Sequence, residues 1–112
     1  MVNRFYRDAK GDLKAKTGRE QRLLGRFLEA DLQGSVGMCD DVLAALDDIA
    51  AGRSRRWQMT GNAHTLVLSQ RRARIHPEFG RALDLLLAPA ELRQALLEWK
   101  ALIGRKPSRC SR

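Results

Sequence analysis

The stretch RRWQMTGNAHTLVLS, residues 55–69, decides the fold class of this chain. Gly61 and Asn62 form a turn signal in its middle, and β-branched and apolar residues follow the turn. The pattern predicts a β-hairpin over Trp57 to Ser69. Because helical periodicity lies on both sides of this hairpin, the sequence indicates an α+β fold.

The residues before this hairpin predict a second hairpin and then two helices. Strands over Val2 to Asp8 and Leu13 to Thr17 flank a turn at residues 10–12. Apolar residues then recur at three- and four-residue spacing, which is typical of a helix. Ser35 is the expected N-cap of a second helix, and Gly52 is expected to end it.

The residues after the hairpin predict one more strand and a closing helix. Residues 73–76 form a short extended segment that Pro77 interrupts, whereas residues 81–87 are apolar but ambiguous. Pro89 in a first helical turn and Gly104 after the last apolar residue bound a final amphipathic helix. The order β-β-α-α-β-β-β-α predicts a small antiparallel sheet with helices packed on one face.

The predicted core residues lie on the apolar stripes of these helices and on the hairpin. They are Leu24, Phe27, Leu28, Leu43, Leu46, Leu66, Leu68, Leu96 and Trp99. A chain of 112 residues with 44% hydrophobic content accommodates one such core. We therefore expect a single domain over residues 1–104, followed by a basic tail over residues 105–112.

Composition and cysteine usage indicate a cytoplasmic protein. The chain has no apolar run long enough to span a membrane, and its N-terminus has no apolar signal segment. Cys39 lies in a helical pattern and Cys110 in the basic tail. Two isolated cysteines in such a chain are expected to be free thiols.

The net charge of +8 is unevenly distributed, which suggests two candidate binding surfaces. Residues 31–52 contain five Asp and no Lys or Arg, whereas residues 53–81 contain seven Arg and one Glu. Spacing on the second helix predicts an acidic stripe off the apolar face, so we expect it to be independent of folding. The acidic candidates are Asp40, Asp41, Asp47 and Asp48. The basic candidates are Arg53, Arg55, Arg56, Arg71, Arg72 and Arg74.

Scattered residues along most of the chain resemble the YacL family of small bacterial proteins. They are Phe5-Tyr6-Arg7-Asp8 with Gly11, the segment 24–29, Met38-Cys39, Trp57-Gln58 with the segment 61–66, and Leu92, Ala95, Leu96 and Trp99 in the closing helix. The resemblance implies a fold and no assigned activity. It also implies an acidic region after the hairpin, where this chain instead has the basic stretch 70–77.

The sequence contains no coherent catalytic or metal-binding motif. His64 is more typical of a structural strand histidine than of a catalytic base, and no serine lies in a nucleophile-elbow context. Cys39 is more typical of a small buried residue than of a nucleophile. No Cys or His pair has metal-ligand spacing, and no glycine-rich phosphate loop is present. We therefore expect neither enzymatic activity nor a cofactor, a metal or a small-molecule substrate.

A small domain whose sequence has no catalytic or metal-binding motif favours a protein-binding function. By analogy of size, the leading hypothesis is an immunity protein that neutralises a bacterial toxin, as in contact-dependent growth inhibition, by covering its active site. Either the acidic stripe or the arginine-rich hairpin would form the contact. The alternative is nucleic-acid binding by the arginine-rich hairpin, with Trp57 stacked on a base. Without a nucleic-acid function, these arginines are expected to form a solvated rim, with Trp57 in the core.

Overall fold

The computed structural model describes residues 3–105, and it confirms the α+β class and the predicted order of elements. The strands are β1 (Arg4–Arg7), β2 (Leu13–Lys16), β3 (Arg56–Thr60), β4 (His64–Ser69), β5 (Ala73–Pro77) and β6 (Leu85–Leu87). The helices are α1 (Arg22–Phe27), α2 (Val36–Ala50) and α3 (Pro89–Gly104). A 3₁₀ turn at Arg19–Gln21 precedes α1, and a π-helical turn at Leu28–Leu32 follows it. Strand β6 lies in the ambiguous segment 81–87.

The strands form two separate antiparallel sheets. β1 and β2 pair with each other, while β3, β4, β5 and β6 form a four-stranded meander in chain order. Alternation along the strands separates two faces. One row of the inner face is Trp57, Leu68, Ala73 and Leu87. The neighbouring row of the outer face is Gln58, Val67, Arg74 and Leu86.

The core lies between the inner face of the four-stranded sheet and the helices. α1 and α2 pack against this sheet, whereas α3 packs against α2 and β1. Trp99 of α3 is fully buried, donates from Nε1 to the carbonyl of Gln33 at 2.8 Å, and meets the Phe5 ring edge-on at 5.6 Å. Helices therefore cover one face of the four-stranded sheet, and its outer face is open.

The predicted core is confirmed with one correction on α2. Leu43 is only half-buried, and its neighbour Val42 is fully buried instead. The apolar stripe of α2 is therefore rotated by one residue from its predicted position at this point. The other eight predicted core residues are buried.

The predicted helix N-cap at Ser35 is present. Its hydroxyl accepts a hydrogen bond from the Met38 amide at 3.1 Å and so satisfies one amide of the first turn of α2. Within residues 3–105, no helix is both long and apolar enough to cross a membrane. Cys110 and most of the predicted basic tail lie outside the described residues.

Candidate functional site

The acidic stripe of α2 is engaged within the molecule. Asp40 of α2 pairs with Lys100 of α3 at 2.5 Å, and Asp47 of α2 pairs with Arg93, which also lies on α3. Because residues 40 and 47 of α2 face residues 100 and 93 of α3, the two helices run antiparallel. The ion pairs count against the expectation that Asp40 and Asp47 are independent of folding, which stays a prediction.

The remaining acidic candidates lie in different surroundings. Asp48 accepts from the Arg53 guanidinium at 2.9 Å and thereby connects the end of α2 to the loop before β3. Asp41 is exposed and has no ion-pair partner among residues 3–105. Three of the four aspartates thus have an intramolecular cation beside them, which reduces the negative charge that this helix offers to a partner.

The structure brings half of the basic candidates together on the open face. Arg56, Arg72 and Arg74 line a depression of about 280 Å³ at one end of the four-stranded sheet, together with Val67, Ser69 and Leu86. We call these three residues the arginine cluster. Arg53 is paired with Asp48, and Arg55 and Arg71 are exposed outside this depression.

The arginine cluster has little internal charge compensation. Arg56 donates to the side-chain carbonyl of Gln58 at 3.3 Å, and Arg74 approaches Asp84 only to 3.8 Å. Arg72 has no ion pair within the described range 3–105. The stronger contact of Asp84 is with His76, whose Nδ1 lies 2.7 Å away. The cluster therefore leaves donors available for an anionic group.

Trp57 does not lie on this open face. It shares the inner row with Leu68 and packs, half-buried, against the core. Trp57 therefore packs against the edge of the core, close to the core alternative, and it lies on the opposite sheet face from the arginine cluster. The outer row through Arg74 contains no aromatic side chain, since its other members are Gln58, Val67 and Leu86.

Sequence reasoning missed three exposed apolar side chains near the last strand. Leu86 lies beside Arg74 on the open face with 50% of its surface exposed. Phe79 and Leu83, in the loop before β6, are 74% and 87% exposed. Leu83 and Leu86 lie in the segment 81–87 that the sequence left ambiguous, and Phe79 lies just before it. Large apolar residues at such exposure frequently mark binding surfaces when they cluster.

Sequence reasoning also missed a buried pair that joins the hairpin tip to the first helical segment. Asp31, at the end of the π-helical turn, is 4% exposed, and His64 at the start of β4 is 5% exposed. The Asp31 carboxylate accepts from His64 Nδ1 at 3.2 Å and from the Ala63 amide at 2.9 Å. We call Asp31 and His64 the buried dyad.

The surroundings of the buried dyad fix its geometry. The Phe27 ring meets the imidazole edge-on, with ring centroids 6.2 Å apart, and Asn62 donates to the Ala30 carbonyl at 2.9 Å. Gly61 approaches Asp31 so closely that a Cβ there would lie 2.7 Å from the carboxylate carbon. The GNAH turn is therefore built around one carboxylate from a distant helical segment.

The described residues contain no arrangement suited to a metal ion. Within residues 3–105, no three His, Cys, Asp or Glu side chains lie close enough to share one. Burial, and to a lesser extent the neighbouring Asp40 carboxylate, raises the pKa of the Cys39 thiol. Because the thiolate is the nucleophilic form, this environment favours the packing role expected for Cys39.

Comparisons with known proteins identify the family of this chain, but they assign no activity to it. The chain is 34% identical over 68 residues to a UPF0231 protein of Cronobacter sakazakii, covering 61% of this chain and 55% of that protein. It is 30% identical over 66 residues to one of Shewanella amazonensis, covering 59% and 53%. A relative from Proteus mirabilis is 26% identical over 68 residues, covering 61% and 54%.

The chain therefore spans about half the length of the curated relatives it matches. No solved structure matches it. The family model described as "Uncharacterised protein family (UPF0231)" matches residues 1–84, which extends from the first hairpin to the loop before β6. By this match the chain belongs to the uncharacterised protein family UPF0231, in agreement with its resemblance to the YacL family.

Proposed function

We propose that this protein is a non-enzymatic module that binds an acidic surface of another protein through the open face of its four-stranded sheet. The observation that carries the proposal is the arrangement around Leu86. An exposed apolar side chain and the half-buried Val67 lie among three arginines on the one sheet face that the helices leave uncovered.

This arrangement has the composition of a protein-binding surface. Interfaces commonly place an apolar centre inside a polar rim, and arginine is enriched among the residues that contribute most to affinity. Arginine also offers planar, bidentate donors to carboxylates. An acidic partner surface with a small apolar protrusion would therefore match both the charge and the apolar centre of this face.

The acidic stripe of α2 is the weaker candidate surface. Asp40 and Asp47 would have to exchange Lys100 and Arg93 for cations of the partner, so part of any gain would be offset by the lost ion pairs. The arginine cluster requires no comparable exchange, because its closest carboxylate contact is the 3.8 Å approach of Arg74 to Asp84.

The proposed partner class includes a bacterial toxin whose active site this chain would cover. Size and the absence of a catalytic motif support this immunity function, and it requires a toxin with an acidic surface beside its active site. Co-expression with toxin candidates encoded next to this gene tests it directly. Restored growth supports the immunity function, and unchanged toxicity counts against it.

The binding surface is tested with a partner captured on the immobilised protein and then purified. The variant Arg74→Glu with Leu86→Asp should weaken the affinity for that partner by roughly 100-fold, because it reverses one rim charge and removes the apolar centre. The control Arg55→Glu reverses an exposed arginine outside the depression and should change the affinity only a few-fold. Equal effects of the two variants would contradict the proposed surface.

A second candidate function is nucleic-acid binding by the same cluster. The sparsely compensated guanidinium groups favour it, whereas the inward position of Trp57 removes base stacking from this site. Binding would then depend on phosphate contacts, and three such contacts predict a slope of about −2 to −3 for the logarithm of affinity against that of salt concentration. Affinity for a duplex oligonucleotide with this slope, together with no captured protein, would favour this function.

A further inference from the structure

We infer that His64 of the buried dyad contributes to a binding site for a small carboxylate with an apolar body. His64 lines a surface pocket of about 420 Å³ between α1, the GNAH turn and the loop before β6, and Asp31 holds its ring from behind. The pocket also contains Arg26, Glu29 and Phe79. Its volume lies within the range of small-molecule sites. This site is separate from the arginine cluster, so the inference is independent of the proposed function.

The imidazole of His64 is held in one orientation toward this pocket. An ionised carboxylate only accepts hydrogen bonds, so Asp31 assigns the proton to Nδ1. The other ring nitrogen, Nε2, has no protein hydrogen-bond partner among residues 3–105, and it is not fully shut off from solvent. Because His64 lines the pocket, Nε2 is the ring atom left to form a hydrogen bond with a group bound there.

The charges around the pocket favour an anionic group on the ligand. An imidazolium donates from both ring nitrogens, so in that form His64 donates from Nδ1 to Asp31 and from Nε2 to a carboxylate in the pocket. Arg26 is exposed at the same pocket and has no ion pair within the described residues, so its guanidinium is a second donor. Glu29, the other charged group in the wall, already accepts from the Ala15 amide at 2.6 Å.

The apolar part of the ligand would contact the apolar residues of the same pocket. Leu23, Pro77 and Phe79 are among its lining residues, and Phe79 is 74% exposed. An aromatic or aliphatic group stacked there would remove apolar surface from water. The combination of the Arg26 guanidinium, the anchored imidazole of His64 and an aromatic side chain therefore favours an apolar carboxylate over an inorganic anion.

Benzoate is the probe for this site, and the imidazole resonances report on it. The chain has two histidines, so His76, on the outer face of β5, is an internal control. Millimolar benzoate should shift the His64 imidazole signals in a saturable manner and leave those of His76 unchanged. Benzylamine has the same ring without the carboxylate and should not shift the His64 signals. Equal shifts of both histidines, no shift at His64, or an equal response to benzylamine would each overturn the inference.

A matched pair of arginine variants identifies the second donor without disturbing the buried dyad. Arg26→Gln removes the guanidinium at the pocket and should weaken benzoate binding about tenfold. Arg22→Gln is the control, since Arg22 is an exposed residue of the same helix that does not line this pocket. Equal affinities of the two variants would contradict the assignment of Arg26.

Discussion

The carboxylate of Asp31 accepts a hydrogen bond from His64 Nδ1 at 3.2 Å, although the two residues lie 33 positions apart in the chain. The same carboxylate accepts from the Ala63 amide, and the pair is shielded from water. One side chain therefore attaches the end of the first helical segment to the tip of the β3–β4 hairpin. The first two predictions concern this attachment.

Asp31→Ala should lower the free energy of unfolding by about 2–3 kcal/mol. The substitution leaves the Ala63 amide and the His64 ring without their buried acceptor, and such unsatisfied donors are costly. Urea denaturation of the variant and the parent protein measures the difference. Asp41→Ala serves as the control because Asp41 is exposed, and its unfolding free energy should change by less than about 0.5 kcal/mol. Equal stabilities of the two variants would show that Asp31 is not structural.

Gly61→Ala should be destabilising by about 1–3 kcal/mol, because the added Cβ would meet the Asp31 carboxylate at 2.7–2.9 Å. Gly37→Ala is a control with the opposite expected sign. Gly37 is the second residue of α2, where the nearest atom to an added Cβ is the Ser35 hydroxyl at 3.9 Å, and alanine favours helix over glycine by up to about 1 kcal/mol. Thermal unfolding of both variants measures the contrast. If both were destabilised equally, the cause would be the loss of glycine in general and not the close approach of Gly61 to Asp31.

Local sequence patterns predicted the helices and strands of this fold, but not the long-range side-chain contacts that connect them. The hairpin at 57–69 and the cap at Ser35 depend on neighbours in the sequence, so turn and periodicity signals located them. The role of Asp31 depends on a turn more than thirty residues away, and a single aspartate in a helical segment carries no local sign of it. The sequence shows a glycine at position 61, but a β-turn accounts for this glycine as well as close packing against Asp31 does.

The arginine cluster shows the same limit of local patterns. The sequence placed six arginines near one hairpin, but strand register decides which of them share a face. Arg72 and Arg74 lie on the same sheet face as Arg56, on the other side of β4. Arg53 instead forms an ion pair with Asp48 on α2. The exposed Leu86 escaped notice because a three-residue strand is too short to show an alternating pattern.

Charge reversal at Asp40 and Asp47 should destabilise the fold. Asp40→Lys with Asp47→Lys places like charges opposite Lys100 and Arg93, and we expect a loss of about 1–2 kcal/mol for the double variant. The compensating quadruple variant, which adds Lys100→Glu and Arg93→Glu to these two changes, should recover most of this loss. Denaturation at low and high salt provides the measurement, because screening should reduce the difference. A salt-independent loss would contradict an ionic cause.

Cys39 should be poorly reactive in the folded protein. Burial and the Asp40 carboxylate raise the pKa of its thiol, so the thiolate fraction at neutral pH is reduced and the sulfur is shielded from reagents. In a Cys110→Ser protein, a thiol-specific reagent should modify Cys39 roughly 100-fold more slowly without denaturant than with it. The rate should increase as the pH rises, because deprotonation then produces the reactive thiolate. Rapid modification at neutral pH would contradict the buried position.

Leu66→Ala tests the central contact between the sheet and the helices. Leu66 lies in the interior strand β4, pairs with Met59 and Ile75 in a second row of the inner face, and is fully buried. Removing its side chain leaves a cavity that neighbouring strands on both sides hinder from closing, so the free energy of unfolding should fall by about 2–5 kcal/mol. Leu43→Ala is the matched control, because Leu43 is only half-buried on α2 and should cost clearly less. Chemical denaturation of both variants measures the contrast. A larger loss for Leu43→Ala than for Leu66→Ala would mean that the apolar stripe of α2 follows the sequence prediction rather than the structure.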